Sequence, residues 1–210
     1  MLSVACTRAV REWRWLHEIL MRQVSRPAVP QPRSRRVTDE EISKITYVCG
    51  YEPDIQLKTM QARVAAAFLF SIEAAMRAGE ICALKWADID LAKLVVHVRA
   101  IEPGARKTGI GRVIPLSKSA IAILMQMEGI DELNVFCLKP YILESLFRKV
   151  KKMALNDGLH FRDTRREALT RLAAKVDVMT LAKISGHKDL MILQLGYYAP
   201  NMGDVAALMD

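Results

Sequence analysis

Between residues 26 and 36 the chain carries Pro27, Pro30 and Pro32, followed at once by Arg33-Ser34-Arg35-Arg36. Proline fixes φ and removes a backbone donor, and adjacent like charges repel, so neither a helix nor a central strand can run through this stretch. It reads as a linker, with a boundary near residue 35. Upstream, Val10, Trp13, Leu16 and Leu20 stand at helical spacing and predict one helix over residues 4–24. Residues 1–35 are therefore expected to be a fragment with its linker. Residues 36–210 are long enough to bury the core of one ordinary domain.

Within that domain the punctuation is regular. Thr38-Asp39-Glu40-Glu41 has the capping-box pattern and predicts a helix running towards Tyr47. Met60 to Met76 is apolar and rich in alanine, which predicts a largely buried helix. Leu94-Val95-Val96-His97-Val98 has the β-branched content of a strand. A loop with Pro103, Gly104, Gly109 and Gly111 leads to a returning strand, Arg112-Val113-Ile114-Pro115-Leu116. Ser117 is placed to cap a helix over Lys118 to Met127, and further helices are expected at about 141–154, 164–175, 177–185 and 189–195. The class is mainly α with a small antiparallel β-sheet.

An apolar fraction of 51% with 26% charged residues is that of a folded globular chain. The 31 basic residues outnumber the 23 acidic ones, a net charge of +8, and they cluster at 33–36, 148–152 and 162–166. Clusters of that kind suit the neutralisation of nucleic-acid phosphates. Cys6, Cys49, Cys82 and Cys137 are irregularly spaced with no Cys-x-x-Cys pair, so a zinc site and a disulfide scaffold are not expected. The first residues reach charge too soon for a signal peptide, and Val64–Ile72 is too short to span a bilayer. We expect no metal, no cofactor and no membrane association, and a soluble protein of a reducing compartment.

The chemistry is concentrated in five short contexts: Met76-Arg77-Ala78-Gly79-Glu80, Arg106-Lys107-Thr108-Gly109, Asp163-Thr164-Arg165-Arg166-Glu167, Ser185-Gly186-His187-Lys188 and Gly196-Tyr197-Tyr198. Cutting a phosphodiester without a metal needs a nucleophile, cations for the charge that builds at phosphorus, and a proton for the leaving oxygen. Guanidinium groups hold two non-bridging oxygens at once and keep their charge. A lysine can supply the proton, and a tyrosine can attack.

Taken together these contexts resemble the catalytic domain of the tyrosine recombinases, the phage-integrase family, over roughly residues 36–210. The resemblance implies that fold and a site-specific recombinase that cleaves and rejoins DNA through a 3′-phosphotyrosyl intermediate. It makes Arg77 and Arg165 the phosphate clamp, with Glu80 a supporting acid. Lys107 becomes the general acid and His187 a phosphate hydrogen-bond donor. The nucleophile is Tyr197, with Tyr198 as the alternative, because the family's usual spacing from His187 falls on Gly196. Arg35, Arg36, Lys107, Arg162, Arg166 and Lys188 are expected to face double-stranded DNA, and protomers to self-associate on it, four to a synapse in the family.

Two features depart from the pattern. The family's His-x-x-Arg box puts a histidine where this chain has Arg162, and arginine cannot act as a proton relay. His160, two residues earlier, is a bystander on this reading. The family's N-terminal core-binding domain is matched only by Val10 to His17, the end of its last helix. The expectation is a shortened integrase from a phage or mobile element, impaired in recombination. The alternative is a non-catalytic DNA-binding remnant acting as an accessory or competitor at attachment sites.

Overall fold

The computed structural model describes residues 2–19, 21, 24–25, 33–99 and 111–198. Residues 1–34 and 35–210 form two compact units. In the first, helix α1 covers Leu2–Arg11, and the helix expected over 4–24 ends there. The amides of Glu12 and Trp13 both donate to the Arg8 carbonyl, and Arg14 takes a φ of 52°, through which no right-handed helix continues. The Trp13 and Trp15 rings meet at 4.8 Å. Residues two apart lie on opposite sides of a helix, so that contact requires the helix to have ended.

The second unit opens on α2 (Asp39–Val48). Thr38 Oγ1 accepts from the Glu41 amide at 3.2 Å, and the Glu41 carboxylate accepts from the Thr38 amide at 3.1 Å, the expected capping box. Helix α3 (Met60–Ala74), capped by Thr59, is buried on nearly every side. A helix apolar all round has to lie in the interior, and α3 packs against α2, α4 (Ala78–Cys82), α5 (Lys118–Met125), α6 (Pro140–Met153) and α7 (Phe161–Ala173). Phe68 of α3 stacks on Phe147 of α6 at 5.4 Å, and Phe147 meets Phe161 of α7 edge to face at 5.4 Å. These rings tie three helices together.

A three-stranded antiparallel sheet, in order β1 (Ile89–Asp90), β2 (Val95–Val98) and β3 (Arg112–Pro115), lies beside this core. Val96 pairs with Ile114 and both are buried, while His97 and Val113 face solvent. The two-residue β1, reached through a 3₁₀ turn at Trp86–Asp88, and the short α4 carry too little periodicity to be read from sequence. Helices α8 (Val178–Ser185) and α9 (Leu190–Gly196) dock on α7 through a second, smaller core of Ala75, Ala168, Leu169, Ala173, Leu181 and Leu193. The fold is mostly helical with one small antiparallel sheet, as the sequence predicts. No helix among the described residues is long and apolar enough to cross a membrane.

Candidate active site

Helix α3 stops at Ala75, whose backbone is left-handed (φ 52°, ψ 25°), an unusual state for a residue with a Cβ. The reversal puts Arg77 at the N-cap position of α4 in extended conformation. Arginine has no acceptor with which to cap a helix. Glu80 compensates: its carboxylate accepts from the Arg77 amide at 2.7 Å and from Arg77 Nη1 at 2.8 Å.

Arg165 lies in the first half of α7. Beside it the buried Thr164 hydroxyl meets Ser71 of α3 at 2.6 Å and donates to the Phe161 carbonyl, which sets how α7 lies along α3. Arg165 Nη1 donates to the Ala75 carbonyl and Nη2 to the Ser185 carbonyl, both at 2.5 Å. The left-handed turn at Ala75 thus presents the oxygen that orients Arg165. Burial, reinforced by the charges of Arg77 and Arg112 and opposed by Glu80, lowers the Arg165 pKa to about 10, so the group stays charged at neutral pH.

Arg112, the first residue of β3, was not expected in the site. Its side chain is 5% exposed and grips Glu80 with two bonds, Nη1 at 2.9 Å and Nη2 at 2.7 Å. Nε donates to the Ile184 carbonyl at 2.8 Å. A signal was available: residue 112 shares a strand face with Ile114, and a cation on an inward face needs a partner. Burial works to raise the Glu80 pKa, but the hydrogen bonds from Arg112 and the Arg77 amide, with the Arg112 charge and the Arg77 side chain, bring it down to about 2.

His187 follows Gly186, which ends α8 in the left-handed region at φ 70°. A Cβ at Gly186 would come within 3.2 Å of Arg112 Cδ, so glycine answers both to the turn and to the arginine beneath it. His187 Nδ1 lies 2.8 Å from Ser185 Oγ. Burial, with Arg165, Arg77 and Arg112 nearby, lowers its pKa to about 4, so the imidazole is neutral at pH 7.

Tyr197 sits at the C-cap of α9 and packs with Tyr198 against the smaller core. The Arg166 guanidinium carbon is 4.9 Å from the centre of the Tyr197 ring, and Arg166 Nη1 donates to the Gly196 carbonyl at 3.1 Å. Arg166, read from sequence as facing DNA, is thus engaged with the tyrosine segment. The Tyr197 phenol is also close enough to act electrostatically on Arg165.

Arg162 is exposed in the first turn of α7. It lines a cleft of about 350 Å³ with His160, Glu144, Arg148 and Lys151, and makes no hydrogen bond to the arginine cluster among the described residues. His160 Nδ1 is buried without a hydrogen-bond partner. Arg36 holds the nearly buried Glu167 through two bonds of 2.5 and 2.8 Å, and Arg35 pairs with Glu41, so both of these sequence-predicted DNA contacts have partners inside the fold. Lys188 is exposed. Lys107 lies outside the described residues. Among the described residues no group of three or more His, Cys, Asp or Glu is placed to hold a metal.

Residues 35–203 match the phage integrase family. The chain belongs to that family. A putative integrase/recombinase of Haemophilus influenzae is 47% identical over 204 residues, covering 96% of this chain and 65% of the relative. A second from the same organism is 44% identical, covering 92% of this chain and 52% of the relative. The chain thus spans about half to two thirds of the length of these curated relatives. Among integrase structures, a lambda integrase (75–356) dimer bound to a COC′ core site superposes with a TM-score of 0.68 at 19% identity, covering 93% of this chain and 70% of that one. The likeness is one of fold.

Proposed function

We propose that this chain is the strand-cleaving part of a site-specific DNA recombinase of a phage or mobile element, acting in the cytoplasm. The observation that carries the reading is the gathering of Arg77, Arg165 and His187, from three separate elements, around one carboxylate, with the Tyr197 phenol in electrostatic range of Arg165. Tyr197 is the nucleophile. Its oxygen, giving up its proton to solvent, bonds to phosphorus as the bond to the 5′-oxygen breaks, leaving a 3′-phosphotyrosyl link and a free 5′-hydroxyl. Arg77 and Arg165 stabilise the charge that builds on the non-bridging oxygens, and neutral His187 donates a hydrogen bond to one of them. Lys107 protonates the leaving oxygen, the role that its Lys-Thr-Gly context implies through the family resemblance. Rejoining reverses these steps. Self-association on double-stranded DNA belongs to the same reading, and the lambda integrase dimer on its core site supports it.

The test is capture of covalent protein–DNA adducts from nicked duplexes with a randomised core. Wild type and Tyr198→Phe form adducts, and Tyr197→Phe forms none. Adducts that survive Tyr197→Phe and vanish in Tyr198→Phe move the nucleophile by one residue. Salt-sensitive duplex binding without any adduct establishes the second reading, a non-catalytic accessory at attachment sites, which Arg162 in place of the family's histidine favours.

A further inference from the structure

All three guanidinium nitrogens of Arg112 bond inside the protein: two to Glu80 and one to the Ile184 carbonyl. With its side chain 5% exposed, it has no fork left for a phosphate. Whatever it does for the reaction passes through its partners.

Glu80 is the partner that matters. A carboxylate offers about four acceptor positions. Here Oε1 takes Arg77 Nη1 and Arg112 Nη1, and Oε2 takes the Arg77 amide and Arg112 Nη2. All four are filled. Arg165 Nη1 stands 3.9 Å from the same carboxylate, outside hydrogen-bond range, and bonds to two main-chain carbonyls instead. Three arginines and one glutamate leave the cluster with a charge of +2 around a neutral His187. That matches the two negative charges of a phosphodiester at its transition state.

We infer that Arg112 is a positioning residue: by saturating Glu80 and bracing the end of α8, it keeps the Arg165 guanidinium free for a phosphate. Two free lone pairs on Glu80 would turn to the nearest unpaired cation, and Arg165 is already within reach of a small rotation. The clamp would then be neutralised from inside. This inference rests on the reading of Arg77 and Arg165 as a phosphate clamp.

Tungstate, a tetrahedral oxyanion, tests the cluster without catalysis, with the full-length chain titrated and the His187 ring resonances followed by NMR. R112M weakens tungstate binding by about tenfold, within the range of an indirect coupling between two groups. Adding E80Q to R112M restores affinity towards wild type, because a neutral amide cannot sequester Arg165. A role in folding alone predicts no such recovery in the tungstate constant. R112K covers the case in which R112M fails to fold; a single ammonium cannot fill both Glu80 oxygens and reach Ile184, so it weakens binding to an intermediate degree. Wild-type tungstate affinity in R112M or R112K, or a double variant no better than R112M, overturns the inference. Adduct capture is run in parallel: R112M slows adduct formation while duplex affinity changes little. Absent adducts in wild type with the tungstate pattern intact reject the recombinase reading and leave the positioning role standing.

Discussion

Arg162 faces a cleft shared with α6, and an arginine side chain offers no acceptor for the proton of a phenol. Restoring the basic imidazole at that position tests what the exchange costs. Arg162→His is expected to raise the rate of adduct formation by about a hundredfold, the lower end of the range for a positioned general base. An unchanged rate in single-turnover cleavage would show that residue 162 has no part in proton transfer. Gly186 presents the opposite case, a residue whose side chain must stay absent. Gly186→Ala puts a Cβ into a left-handed backbone and within 3.2 Å of Arg112 Cδ. The left-handed strain is about 1–2 kcal/mol. Denaturant unfolding should register a loss of that order, and the His187 ring resonances should move with it.

Helix α7 carries three consecutive residues in three directions, as 100° per residue requires. Arg165 points to the ends of α3 and α8, Arg166 to the Tyr197 ring, and Glu167 to the linker. Glu167 accepts from Arg36, Arg171 and the Val37 amide while nearly buried. The Arg36 hydrogen bond is the main reason its pKa falls to about 2, against the opposing effect of burial. The chain entering the domain is therefore pinned to the helix that bears Arg165. Glu167→Gln keeps the shape and removes the charge; because Arg36 is half exposed, the loss is expected at the lower end of about 1–3 kcal/mol, read by thermal or urea unfolding. At the start of α2, Thr38→Ala removes one half of the capping box and should cost about 1 kcal/mol in the same assay.

On the acid side of neutrality the shifted groups of the whole molecule act in one direction. Glu80 and Glu167 ionise near 2 in the fold against an ordinary 4.5, and a depressed carboxylate stabilises above its unfolded pKa and loses that as pH falls through the folded one. His187 ionises near 4 against an ordinary 6.5, so below 6.5 the unfolded chain takes up the proton first and again gains on the fold. Stability should be level around pH 7 to 8, decline from 6.5 towards 4 through His187, and decline further from 4.5 towards 2 through the two carboxylates. Above about 9 it should decline again, because burial raises the Cys49 and Cys82 thiols to about 12 and about 11. Unfolding free energies across this range measure the slope. His187→Gln should flatten the upper part of the acid decline and Glu167→Gln the lower.

What the sequence by itself determined was set over short distances along the chain. The Thr38 capping box, the all-apolar α3, the pairing of the β2 and β3 strands and the helices that follow them are local matters of capping, periodicity and turn chemistry. The boxes around Arg77, Arg165 and His187 were legible for the same reason, since each lies within a few residues. The rest depends on partners brought together by packing. The left-handed Ala75 is buried in the smaller core beside α7, its carbonyl holding Arg165. Arg166 meets Tyr197 across two helices. Above all, Arg112 belongs to the site only because β3 lies against the end of α8 and Glu80, 32 residues upstream, turns its carboxylate to meet it. A buried charge takes its partner from the tertiary structure, where desolvation makes an unpaired one too costly to keep.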